Sequence, residues 1–130
     1  MKLIVCLDER NGMSFLGRRQ SQDALLRKDL LAYVAGSTLS MNAYSAAQFE
    51  AGSPISTSEQ PPACGYCFVE NLPVEPLLPL EELVIYRWNR HYPSDKKFPL
   101  ALALEGLQLA HTAEFPGSSY EKITREVYKK

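Results

Sequence analysis

Histidine and cysteine are scarce in this chain, two and three among 130 residues. A zinc site built on Cys64 and Cys67 would need two further ligands, and only Cys6, His91 and His111 remain to supply them. An odd cysteine count fits no disulfide framework. Neither a glycine-rich phosphate-binding fingerprint nor a Gly-x-Ser-x-Gly nucleophile elbow occurs. Ser118 and Ser119 follow Gly117 without that elbow and read as cap residues. An excess of either charge is also lacking: 14 basic and 15 acidic side chains leave a net charge of −1. No global field draws the protein to nucleic acid or a membrane, so any anion affinity must come from a local cluster. No apolar window approaches the roughly 18 residues of a membrane span. The run from Leu3 to Leu7 is too brief for a signal-peptide core. The expectation is a cytoplasmic protein with no membrane partner.

What is present reads as one domain over 1–130, ordinary in composition and long enough to bury a core without metal or disulfide staples. Leu3 to Leu7 is a continuous apolar run, the mark of a strand buried on both faces. Residues 21–34 carry Leu26, Leu30, Tyr33 and Val34 at helical spacing, with Ser21 as the expected cap and Gly36 as the stop. A short strand at Thr38 to Met41 leads to a second helix capped by Asn42. The Ser/Pro-rich stretch 51–63 predicts a surface loop. Further strands are expected at Tyr66–Val69, Leu83–Trp88 and Leu107–Glu114, with a Pro-rich crossover over Pro73–Pro79. The tail carries a capping box, Ser118-x-x-Glu121, and helical spacing of Tyr120, Ile123 and Val127. Ile123 to Val127 also alternates as a strand would, and helix is the reading preferred. Together these predict an α/β fold, two or three layers deep, with about five mostly parallel strands and two or three helices.

In such sheets ligands sit at the carboxyl ends of the strands. That rule draws attention to Arg87-Trp88-Asn89-Arg90-His91-Tyr92, which combines guanidinium and aromatic groups just after a strand. Arg87 and Arg90 are the expected anion holders, with Asn89 beside them, while Trp88 or Tyr92 would stack on a planar group. The bland alternative makes Trp88 core and Tyr92-Pro93 a turn. Arg18 and Arg19 precede the first expected helix, whose N-terminus with Ser21 would close an anion site. Asn42 marks a strand-to-helix turn able to cradle phosphate, although a simple cap explains it too. Asp8 ends the first strand, where a carboxylate could hold a ribose, a metal or an arginine. Cys64 and Cys67 have redox-pair spacing, but in a strand they would point to opposite faces.

Several segments together resemble a group of small bacterial proteins that sometimes carry the label ribonuclease Z. They include Asn11-Gly12-Met13, Arg18-Arg19-Gln20-Ser21-Gln22-Asp23, Met41-Asn42-Ala43-Tyr44-Ser45-Ala46, Tyr86-Arg87-Trp88-Asn89-Arg90 and Gly117-Ser118-Ser119-Tyr120-Glu121-Lys122. In that group's pattern position 120 is His, position 40 is Trp and position 64 is not Cys, so Cys64 is incidental. The label itself fails chemically. Two zinc ions need a His-x-His-x-Asp-His cluster, and this chain has only two histidines. Leu3 to Met13 and Met41 to Ser45 also resemble parts of dihydrofolate reductase. The Gly-Gly pair of that family, which contacts its cofactor, has no counterpart beside Tyr86 to Arg90, and the likeness implies fold alone.

The expected role is binding of a small anionic or nucleotide-like ligand, or RNA, at the strand ends. One alternative is a metal-dependent nuclease or phosphoesterase using Asp8, Glu70 or Asp95. Another is a protein-interaction module presenting Tyr86, Trp88 and Tyr92 in an exposed apolar patch. No motif names a cofactor, a metal or a catalytic group.

Overall fold

The computed structural model describes residues 1–62 and 64–130, so the last position of the expected 51–63 loop lies outside the described residues. Strand β1 (Lys2–Leu7) forms the centre. It pairs in parallel with β6 (Tyr66–Phe68) on one side and β7 (Glu82–Arg87) on the other. Leu3, Val5 and Leu7 pack into one face of the sheet and Ile4 into the other, so both faces are dry and the run must be apolar throughout. Beyond β6 lie β4 (Leu39–Met41) and the two-residue β5 (Ser56–Thr57), again parallel. Beyond β7 lie β10 (Ile123–Lys129) and β9 (Gln108–Phe115), both antiparallel to their neighbours.

Among the described residues this gives a seven-stranded, mostly parallel sheet in the order β5-β4-β6-β1-β7-β10-β9. The α/β class is as expected, but the strand number exceeds five. Two of the additional strands, β10 and β5, fall where a helix and a loop were expected. The others form a second, three-stranded antiparallel sheet: β2 (Gly12–Phe15), β3 (Arg18–Arg19) and β8 (Lys96–Lys97). Strands this short offer too few alternations to show a period.

Helix α1 (Ala24–Tyr33) covers one face with Leu26 and Leu30, joined by Phe49 from beyond α2 (Ala43–Ala46). The other face is covered by α3 (Leu100–Ala103), by a 3₁₀ turn at Glu75–Leu77, by Met13 from the small sheet and by Phe98 just after β8. The crossover with at most one helical turn is therefore as expected. No described helix is long and apolar enough to cross a membrane.

Two helix assignments need correction. Ser21 does not cap α1. Asp23 does, its carboxylate accepting the N–H groups of Leu25 and Leu26 at 2.9 and 3.1 Å. The tail is strand, not helix. Between β7 and β9, a strand completes two ladders and buries Ile123 and Val127 completely, which a helix there could not do.

Candidate functional site

The carboxyl ends of β1, β6 and β7 converge under the small sheet. Their centre is Asp8, fully buried at the end of β1. One carboxylate oxygen accepts the backbone N–H groups of Arg10 and Gly12, both at 2.8 Å. The other accepts the Gln20 amide at 3.0 Å and the Tyr92 N–H at 3.3 Å. Burial pushes the pKa of Asp8 up, but these donors outweigh it and hold it below the ordinary value. Gly12 is required at this turn. A Cβ there would lie 2.8 Å from both the Asp8 oxygen and the Gln20 nitrogen. Asp8 is thus the tie between the 9–12 turn, Gln20 just after β3 and the 90–93 turn.

The tract after β7 is divided between the two faces of the sheet. Arg87 sits on the face away from α1, donating to Glu126 at 3.2 Å and to the Asn11 side chain at 2.9 Å. Trp88 turns to the α1 face, is 2% exposed, and stacks on Tyr120 with ring centroids 5.0 Å apart. Asn89 adopts φ 60° and spends its amide on the Lys122 carbonyl and the Thr124 hydroxyl. Arg90 lies over the Tyr120 ring at 4.6 Å and donates to the Ser119 carbonyl. The structure therefore does not bring Arg87 and Arg90 onto one anion. Tyr86 is buried and donates to Asp29 at 2.6 Å, so Tyr86 and Trp88 form no exposed aromatic patch.

Tyr120 is the residue that sequence reasoning underrated. It links Tyr92 and Ser21 through hydroxyl hydrogen bonds, beneath Arg90 and beside Trp88. Burial, then the hydrogen bond and charge of Tyr92, push its pKa up to about 12 despite the opposing Ser21 bond. It remains a neutral phenol throughout the physiological range. Its position after Gly117-Ser118-Ser119 suggested a helix, which hid this inward turn.

The N-termini of α1 and α2, where an anion site was expected, are filled by the protein's own groups. Asp23 occupies that of α1. At α2, Asn42 accepts the Ser45 N–H at 2.9 Å and Glu59 accepts the Ala43 N–H at 3.0 Å. The cap reading of Asn42 is therefore the one the geometry shows. Arg19 is similarly committed, to Glu70 at 3.0 Å and to the Tyr44 carbonyl at 3.0 Å, with its guanidinium 4.2 Å from the Tyr44 ring centre. Next to this pair, burial and then the Glu70 charge push the Cys6 thiol well above its ordinary pKa.

Arg18 is different. It is exposed, and its guanidinium has no hydrogen-bond or ion-pair partner among the described residues. It borders a groove of about 500 Å³ with Phe15, Leu16, Arg19, Gln20, Tyr92 and Pro93. Two walls come from segments some seventy residues apart, joined through Gln20, which donates to Asp8 and to the Pro93 carbonyl. The apolar wall is conspicuous. Phe15 is 41% and Leu16 73% exposed, at the tip of the β2–β3 hairpin. Leu16 and Gly17 both have positive φ, 52° and 72°, the signature of a type I′ turn. Asparagine is the usual first residue there, and a leucine is strained. The Asp95 carboxylate steadies it by accepting the Leu16 N–H at 3.1 Å.

Among the described residues no three His, Cys, Asp or Glu side chains stand close enough to share an ion. Cys64 is exposed while Cys67 is buried in the sheet, so the two thiols do not form a pair. Asp95 and Glu70 are engaged as described above.

No family model matches the chain, and no curated protein matches it. Among solved structures it is similar to the dihydrofolate reductase of Enterococcus faecalis, determined in complex with NADP(H) and RAB-propyl. The two share 11% identity, with a TM-score of 0.63, over 98% of this chain and 94% of that one. At that identity the likeness establishes the fold: this chain is built on a dihydrofolate reductase-like α/β framework.

Proposed function

We propose that the groove under the β2–β3 hairpin binds a small planar anion, an aromatic heterocycle bearing one phosphate or carboxylate. The observation that carries this reading is Arg18, an unpaired guanidinium beside the exposed, strained Leu16. A bulky side chain held at positive φ and left in solvent costs the fold free energy twice, and such outliers concentrate at binding sites. Phe15, Leu16 and Pro93 supply an apolar face and Tyr92 an aromatic one, while Arg18 supplies the charge. About 500 Å³ lies within the range of small-molecule sites. The bound NADP(H) of the similar reductase adds support for a nucleotide-like ligand, as an analogy of fold.

A small ligand is preferred to RNA because the groove offers a single unpaired cation, whereas a polynucleotide needs a row of them. Arg19 lines the groove in this reading, while Asp8 through Gln20, and Ser21 through Tyr120 and Tyr92, support its wall. The test is thermal-shift screening with adenosine monophosphate, NADPH, pyridoxal phosphate and inorganic phosphate. A ligand at 100 times its dissociation constant adds about 2.7 kcal/mol of stability, a shift of several degrees. An aromatic phosphate is expected to shift the transition and inorganic phosphate much less. Equal small shifts from all four would overturn the proposal.

A further inference from the structure

The sheet ends on β9, and that edge is open. Six of its eight side chains are exposed and the other two half-buried, with Phe115 packed on the core edge against Tyr86. One backbone edge pairs with β10, and the other has no partner among the described residues. Natural edge strands are blunted by shortness, proline, lysine or a twist away from the sheet. The opposite edge follows that rule, because β5 has only two residues. The β9 sequence Gln-Leu-Ala-His-Thr-Ala-Glu-Phe contains no proline and no lysine. Its single bulge, at Ala110, lies toward one end, where the pairing steps from Val127–His111 to Tyr128–Leu109. Its one acidic group, Glu114, is already neutralised within the chain by Lys122 at 2.8 Å. Leu109, toward the other end of the strand, is 56% exposed.

We propose that β9 pairs antiparallel with β9 of a second copy, joining the two sheets across a twofold axis. Two observations select a second copy. The edge carries no unbalanced charge that would repel its own kind. The contact is also self-closing: an eight-residue edge matched to itself satisfies both copies, whereas β9 against the β5 edge would find two residues and leave open ends. The groove lies on the small sheet and does not include β9, so this inference stands apart from the ligand reading.

Light scattering on the eluting protein should give about twice the 14.6 kDa chain mass. Thr112→Lys and Thr112→Glu place like charges at the middle of the paired strands. Each variant alone should run as a single chain, and an equal mixture should recover the double mass. A single-chain mass for the wild type up to millimolar concentration would overturn the proposal, as would dimers of both variants that persist unchanged. If circular dichroism shows the variants unfolded, hydrogen exchange of the wild type decides. Pairing predicts that the outward-facing amides of β9 gain protection as concentration rises, and fast exchange at every concentration would contradict it.

Discussion

Asp8→Ala removes the carboxylate that accepts the buried N–H of Gly12 and the part-buried Arg10 N–H, Gln20 amide and Tyr92 N–H. At about 1–3 kcal/mol for each unsatisfied buried group, partly relaxed by water, a loss of about 3 kcal/mol is expected. Urea unfolding measures it. Gly12→Ala should destabilise through the same residues, because the added methyl displaces the Gln20–Asp8 bond. Arg87→Ala breaks the pair with Glu126 and should change stability slightly while leaving ligand affinity intact. These contrasts show how far single residues could be read. That Arg, Trp and Tyr cluster after β7 is written in the chain. Which face each takes is not, because alternation along a strand sends Arg87 and Trp88 to opposite sides. Trp88 is core, the blander of its two readings.

Elements were legible where a period is long enough to count. The buried run of β1 and the spacing of Leu26 and Leu30 in α1 declare themselves, and Asn42 was a readable cap. The cap at Asp23 was displaced by two residues because Ser21 has an alternative partner in Tyr120. The C-terminal strand was obscured because a capping box and a strand alternation coexist there, and the ladders on either side decide between them. The β2–β3 hairpin was not read at all, although its tip holds the most informative outlier. Leu16→Asn should relieve the left-handed strain and raise stability by about 1 kcal/mol. The same change should weaken ligand binding by removing an apolar wall. Denaturation and titration on that one variant check both halves, and a variant that loses stability would contradict the strain argument.

Across the whole molecule, stability should fall at both ends of the pH range. Burial raises the pKa of Asp8 and Asp23, yet their donors lower both below the unfolded value of about 3.9. Their contribution is therefore present above that pH and lost as pH falls through the folded values. Tyr33 is pushed up to about 12 by burial and then by its bond to Glu82, and Tyr66 and Tyr86 are raised in the same direction. Stability is then kept below about 10, the unfolded tyrosine value, and lost as pH climbs toward about 12. Calorimetry across pH should show a plateau between these limits. The most direct test of the central claim is titration of wild type and Arg18→Ala with the aromatic phosphate that gives the largest thermal shift. Loss of the charge-assisted contact should weaken affinity by at least tenfold, about 1.4 kcal/mol, with the unfolding midpoint of the free protein unchanged. Equal affinity for the two proteins would contradict the account.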